Sequence, residues 1–360
     1  MKMRIGIVSS FPPMPCGIGE YAFSLSKALS ERGHEVVVIA TKWDNAPEEE
    51  VVDGVKVIRS WVRGSQRYHH QIAESVEELG PFDYLEIQLE YGLWPTIPLD
   101  SRASWLLRYV RPFADVLVST IHTVRVRYNE HWILLHKEIA EISDVILLHH
   151  AIQEIALSKM IDNLEKTVII PHGSETLTAS RVEVEFHRPV LLLYGLLRRD
   201  KGLEEALTLI KKIREGTLIL AGKPLTERDY EAINEVKRKL GKGRVVLIER
   251  YLSRGELGAL IRLADYVLMP YRDYPNDYGI SGALHTVIGS EGKPICSRVQ
   301  RLIECWEVAK EVTFPVGNVE KMKTLIEKGV QEDVWGKLWR YAQETSWSNV
   351  ALLREKLLVS

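Results

Sequence analysis

The stretch Tyr194-Gly195-Leu196-Leu197-Arg198-Arg199-Asp200-Lys201-Gly202-Leu203 decides how this chain is read. A run of apolar residues from Val190 to Tyr194 stops at Gly195. An amphipathic pattern then opens at Leu203 and continues through Ala206, Leu207, Ile210 and Ile213. That order predicts a strand, a glycine turn and a helix. The charges between them are misplaced for a bare helix N-terminus, where each cation costs roughly 0.3–1 kcal/mol. Arg198, Arg199 and Lys201 stand against Asp200 alone, which leaves two uncompensated positive charges. An anion with about two negative charges, such as a nucleoside diphosphate, would resolve the conflict. The competing reading is a solvated loop whose basic side chains point away.

The 360 residues are 46% hydrophobic and 27% charged, the balance of a globular enzyme with room for two cores. A net charge of -2 counts against a nucleic-acid binder driven by bulk electrostatics. Cys16, Cys296 and Cys305 have neither paired nor metal-type spacing, which implies free thiols in a reducing compartment. The opening residues run straight into a strand pattern without a signal-type apolar segment, and no apolar run reaches the ~18 residues of a membrane span. The expectation is a cytoplasmic protein without a transmembrane segment, with peripheral membrane contact left open.

Strand patterns alternate with helical ones along the chain, which predicts parallel α/β sheets. Strands are expected at Arg4–Ser10, Glu35–Thr41, Val55–Ser60, Tyr84–Leu89, Val116–Thr120, Val145–Leu148 and Thr167–Ile170. A second series follows at Val190–Tyr194, Thr217–Ala221, Arg244–Ile248, Tyr266–Met269, Pro294–Ser297 and Val312–Pro315. Ser253-Arg-Gly-Glu256 reads as a capping box that starts a helix. The pattern divides the chain into an N-terminal domain (1–172), a connection (173–189) and a C-terminal domain (190–330). Helices over 331–360 are expected to return to the first domain. Two doubly wound, Rossmann-like domains facing across a cleft would bring the C-terminal ends of both sheets to one ligand site.

The candidate site residues fall on strand-to-helix loops. Phe11-Pro-Pro-Met-Pro-Cys-Gly-Ile-Gly-Glu20 places Gly17 and Gly19 at a helix start, where backbone can approach a ligand closely. A dinucleotide fingerprint would need a third glycine there, and three prolines spoil its tight turn. Glu90, Tyr91 and His122 follow apolar strands; His122 either contacts a substrate or satisfies a loop carbonyl. The pairs His69-His70 and His149-His150 lack the spacing of zinc ligands. In the loop Pro270–His285, small residues at Ser281, Gly282 and Ala283 expose amides suited to an anion, or simply form a capped helix start. Asp273, Asp277 and His285 offer contacts for hydroxyls.

These pieces resemble glycosyltransferase family four, of the GT-B fold, and more narrowly its mannosyltransferase-like subgroup. The resemblance rests on Phe-Pro-Pro-x-x-Cys-Gly-Ile-Gly (11–19), Arg-Gly-His-Glu-Val (32–36), Gln-x-Glu-Tyr-Gly (88–92) and His-Thr-Val (122–124). It continues through Ile-Pro-His-Gly (170–173), Gly-Leu-Leu-Arg-Arg-Asp-Lys-Gly (195–202), Ala-Asp-Tyr-Val-Leu-Met-Pro-Tyr-Arg (264–272), Ser-Gly-Ala-Leu (281–284) and Gly-Lys-Pro (292–294). It implies retaining transfer of a sugar from a nucleotide-diphospho-sugar, GDP-mannose or a UDP-sugar, without a bound metal or other cofactor. The acceptor would be a glycan, a lipid-linked sugar or a small molecule.

By position, the resemblance makes Arg198 and Lys201 the diphosphate ligands and His122 a contact of the donor sugar. Gly17, Gly19, Ser281, Gly282, Ala283 and Leu284 would face the donor phosphates. Two departures stand out. Leu196 occupies the place where the family has an arginine after its glycine. The family's Glu-x7-Glu is replaced by Asp277-x7-His285 or by Tyr278-x7-Thr286. A nucleotide-sugar epimerase, a nicotinamide oxidoreductase and a non-catalytic sugar-nucleotide-binding protein are the competing functions.

Overall fold

A computed structural model describes residues 2–93, 102–128, 130–224, 226–241 and 243–357. Its contacts group into two compact units. One comprises Met1–Gly173, Pro275–Ile280 and Trp347–Ser360; the other comprises Ser174–Tyr274 and Ser281–Ser346.

The first unit holds strands β1 (Arg4–Ser9), β2 (Glu35–Thr41), β3 (Glu49–Val52), β4 (Val55–Trp61), β5 (Phe82–Leu89), β6 (Ala114–Ile121), β7 (Thr123–Arg125), β8 (Val145–Leu148) and β9 (Thr167–Ile169). Eight of them form one sheet in the order β3-β4-β2-β1-β5-β6-β8-β9. All neighbours run parallel except the β3–β4 hairpin at the edge. The inner strands read as continuous apolar runs because helices cover both faces. Gly17–Glu31 and Trp347–Lys356 cover one face through Tyr21, Leu25, Val350 and Ala351. Tyr68–Leu79 and Arg102–Val110 cover the other through Ile72, Val76, Leu106 and Val110.

The second unit holds β10 (Val190–Tyr194), β11 (Thr217–Ala221), β12 (Val245–Ile248) and β13 (Tyr266–Met269), then β15 (Pro294–Ser297) and β16 (Thr313–Phe314). Between these in sequence, β14 (Asp277–Gly279) belongs to the first unit, where it pairs antiparallel with β7. The six-stranded sheet is fully parallel, in the order β12-β11-β10-β13-β15-β16. Relative to the chain this is the 3-2-1-4-5-6 order of a dinucleotide-binding sheet, whose strand order reverses between β10 and β13.

The unit boundaries differ from those expected. Residues 173–189 do not form a separate connection: Leu177 is buried in a core of the second unit, and its N–H donates to Ser290 Oγ at 3.1 Å. The terminal helices split as well. Glu332–Glu344 buries Val334, Trp335 and Leu338 in the second core, and only Trp347–Lys356 packs in the first. Each helix has an apolar stripe for a different sheet, a distinction that periodicity alone does not carry.

One polar contact lies inside the first core. Glu86 on β5 and Arg354 on the terminal helix are 0% and 1% exposed, and Arg354 Nε stands 3.4 Å from Glu86 Oε2. Removing one member of a buried ion pair strands the other charge, at a cost of about 3–5 kcal/mol. Arg354→Leu is expected to destabilise the first unit by that amount in urea unfolding; a loss below about 1 kcal/mol would contradict the role of this pair.

Candidate active site

In an open parallel sheet, ligands bind at the C-terminal strand ends where the strand order reverses. In the second unit that place lies between the loops after β10 and β13. The loop after β10 continues into a single 3₁₀ turn, Arg199–Lys201, and then into the helix Leu203–Lys212. Gly202 joins the two with φ +80, and a Cβ there would stand 2.3 Å from the Pro270 carbonyl oxygen. This close approach brings the Arg198–Lys201 turn against the residues following β13.

The charges are distributed differently from the sequence expectation. Arg199 points out and pairs with Glu204 at 3.5 Å, so it leaves the cluster. Arg301, from the turn Gln300–Leu302 after β15, enters it. Arg198 Nε lies 2.5 Å from Asp200 Oδ1, Arg301 Nε 3.2 Å from Asp273 Oδ1, and Arg301 Nη2 3.8 Å from Asp200. Lys201 Nζ sits 4.0 Å from the centroid of the Tyr271 ring. Three cations (Arg198, Lys201, Arg301) thus face two carboxylates (Asp200, Asp273), a surplus of one. Burial, and then the neighbouring Arg301, lower the Lys201 pKa to about 7, against the opposing pull of Asp200. Lys201 is therefore a cation short of counter-charge.

The helix Gly282–Gly289 starts beside this cluster. Ser281 N donates to the Arg301 carbonyl at 3.0 Å, and the Ser281 side chain caps the helix by accepting from Leu284 N. The Tyr271 hydroxyl bonds to the Ser281 side chain, and the Tyr194 hydroxyl donates to the Ala283 carbonyl at 2.9 Å. As first-turn residues, Gly282 and Ala283 turn amides that lack intrahelical partners toward the same end. Thr286 bonds back to the Gly282 carbonyl. Leu284 is fully buried, so its side chain reaches no ligand.

Two expected hydroxyl contacts are committed elsewhere. His285 is fully buried, between Ser174 Oγ at 2.8 Å and Glu304 Oε2 at 2.9 Å, and serves the core. Asp277 lies in the first unit, where it binds Arg125 Nε at 2.8 Å and Arg127 Nη2 at 3.2 Å. Neither takes the place of the family's paired glutamates.

In the first unit the strand order reverses between β1 and β5, and the remaining candidates follow β1, β5 and β6. Gly17 opens the helix Gly17–Glu31 and is exposed; Gly19 packs against Phe11 backbone, with room for a Cβ only at 3.3 Å. Glu90 accepts from Thr123 Oγ1 at 2.8 Å and from Tyr91 N at 3.0 Å, and burial raises its pKa. The Tyr91 hydroxyl accepts from Arg125 N, and the Arg125 guanidinium lies 4.5 Å over its ring. His122 is 7% exposed; its Nε2 stands 2.7 Å from Gln88 Oε1, and burial, with Arg354 nearby, lowers its pKa to about 3. Tyr21, His149, His172 and Trp347 complete a ring cluster, with Tyr21 centroid distances of 4.7–5.3 Å to the other rings, His122 included. Among the described residues no group of three or more His, Cys, Asp or Glu could hold a metal ion. Nor is any helix of the described residues long and apolar enough to cross a membrane.

Residues 16–132 match the model of the glycosyl transferase 4-like domain, a span that holds Gly17, Gly19, Glu90, Tyr91 and His122. The chain is 25% identical over 310 residues to glycogen synthase of Mycobacterium tuberculosis, covering 74% of this chain and 72% of the relative. Among solved structures it is similar to the catalytic domain of starch synthase IV from Arabidopsis thaliana bound to ADP and acarbose (TM-score 0.69, 14% identity, 100% and 99% of the two chains). It is likewise similar to Anabaena HepE in complex with UDP-glucose (TM-score 0.72, 12% identity, 99% of each chain). The fold is GT-B, two Rossmann-like α/β domains, and the match over residues 16–132 is what makes the protein a glycosyltransferase.

Arg301 and Asp273 are the partners that the glycosyltransferase motifs did not disclose. Asp273 stood in the quoted loop as a hydroxyl contact, and Arg301 lies some hundred positions beyond Arg198 with no local pattern around it. Lys201 gives the cluster a pH dependence. With its pKa near 7 it loses its proton as pH rises above neutrality, whereas a bound dianion favours the protonated form. UDP affinity is therefore expected to fall between pH 7 and pH 9, by up to about tenfold per unit, with a proton taken up on binding. Calorimetry in two buffers of different ionisation enthalpy reads both; a constant affinity without proton uptake would contradict it.

Proposed function

We propose that the protein transfers a hexose from a nucleotide-diphospho-sugar to a hydroxyl acceptor, with retention of configuration, and that Arg198, Lys201 and Arg301 hold the diphosphate. The observation that carries this reading is the under-compensated cation cluster at the reversal point of the second sheet, beside the amide end of Gly282–Gly289. Breaking the sugar–phosphate bond develops charge on the leaving diphosphate, and fixed cations and amides stabilise that charge without reorganising. The new bond to the acceptor oxygen forms on the face the phosphate leaves, and the acceptor's proton passes to a departing phosphate oxygen. Gly17 and Gly19 are read as backbone contacts of the donor, and Glu90 and Tyr91 as acceptor-side residues.

The sugar is a glucose or a mannose. Glucose is favoured by the likeness to glycogen synthase and to a structure carrying UDP-glucose; mannose is favoured by the motif resemblance to mannosyltransferases. The nucleotide is UDP, ADP or GDP. The acceptor is a glycan, a lipid-linked sugar or a small molecule. An epimerase would need an effective acid and base. A histidine with a pKa near 3 is neither at neutral pH, which leaves the buried Glu90 alone for two roles, and that supports transfer over epimerisation.

Lys201→Ala and Arg301→Ala are each expected to weaken binding of UDP, ADP or GDP by about 1.5–3 kcal/mol, the range for hydrogen bonds to charged groups. Titration calorimetry checks this, and unchanged affinity in both variants would return the segment to a solvated loop. His122→Ala is expected to lower turnover of the preferred nucleotide sugar while leaving diphosphate affinity intact. Full transfer rate at normal stability would remove His122 from the site.

A further inference from the structure

His122 ends a chain of buried polar groups whose direction is fixed at its far end. Glu86 receives Tyr84 Oη at 2.5 Å, Thr120 Oγ1 at 2.6 Å and Gln88 Nε2 at 2.7 Å, with the Arg354 guanidinium beside it. The guanidinium and these three donors outweigh burial and hold the Glu86 carboxyl below its usual range, so it is an ionised, acceptor-only group. The Gln88 amide nitrogen must therefore face Glu86, which turns its carbonyl oxygen to His122. A carbonyl oxygen only accepts, so the His122 nitrogen 2.7 Å away bears the hydrogen.

We propose that Gln88 is a positioning residue that holds His122 as the Nε2–H tautomer, so that His122 offers a lone pair at Nδ1 to a substrate hydroxyl and donates no proton there. The groups around the ring agree. Arg354 disfavours an imidazolium, the Tyr21 ring meets His122 edge-on at 4.7 Å, and the His149 ring lies 5.1 Å away. No described residue bonds to His122 Nδ1. His149 adopts the opposite tautomer, since its Nδ1 stands 3.0 Å from the Ile170 carbonyl and leaves Nε2 as the bare nitrogen. The hydroxyl, on the donor sugar or the acceptor, rests on the glycosyltransferase reading above. The tautomer is a property of the chain alone.

Long-range ¹H–¹⁵N spectra of the histidine-labelled protein between about pH 5.5 and 8.5 test this directly. The expected result is a neutral His122 bearing its proton on Nε2, and a neutral His149 bearing its proton on Nδ1. An Nδ1–H signal for His122, or its protonation within that range, would overturn the proposal. Gln88→Leu is expected to mix the two His122 tautomers and to lower turnover about tenfold or more, as for other partners that orient a functional histidine. UDP affinity should hold within about twofold. A mixed tautomer with wild-type turnover would remove the positioning role. If Gln88→Leu does not fold, the near-isosteric Gln88→Met serves with the same readouts, and a His122 that stays wholly Nε2–H in it counts against the contact. A wild-type protein that shows the predicted tautomers but neither binds nor turns over any nucleotide sugar would defeat the transferase reading, not the tautomer.

Discussion

The buried pair of Glu86 and Arg354 is the constraint around which the first unit is arranged. An ionised carboxylate inside a sheet is tolerated only with a counter-charge and a full set of donors. Arg354 supplies the charge from the terminal helix, and Tyr84, Thr120 and Gln88 supply the hydrogen bonds from neighbouring positions on β5 and β6. Arg354 also donates to the Tyr21 hydroxyl, and Tyr21 lies against the rings of His122, His149, His172 and Trp347. One charge pair thus docks the end of the chain and aligns the histidine that closes β6. This explains why a segment more than 250 positions from β5 in sequence belongs to the same unit.

The second unit holds charge for a different purpose. Its cations are partly compensated by Asp200 and Asp273, which fix their positions without neutralising them. A fully paired cluster would be a structural network, and an unpaired one would fold poorly. A surplus of one, with a lysine poised near neutrality, suits reversible capture of an anion. Tyr271 and Tyr194 hold the Gly282–Gly289 helix start beside these side chains, so amides and cations converge.

Much of this was legible in the chain. The six strands of the second sheet follow from short apolar runs, and Ser253-Arg-Gly-Glu256 forms the capping box its spacing predicts, with Ser253 N donating to Glu256 Oε2 at 2.9 Å. Of the hairpin β3–β4, only β4 is among the expected strands, although Asp53 and Gly54 at its tip have φ +49 and +79, a turn that an Asp-Gly dipeptide favours. Strands β7 and β14 left no such signal, because each is three residues long and their pairing spans some 150 positions. The same limit hid Arg301, which joins Arg198 only through the sheet order. His285 and Asp277 look like ligands in sequence because spacing cannot reveal that Glu304 and Arg125 already hold them.

We place the charged contacts of the diphosphate on the second unit, on three loops brought together by the strand order. Hydrogen–deuterium exchange with and without saturating UDP-glucose, UDP, ADP-glucose or GDP-mannose tests it most directly. Slowed exchange is expected on binding at residues 195–203, 281–286 and 299–302 together. Binding with protection confined to other segments, or protection at 195–203 without the other two, would contradict it.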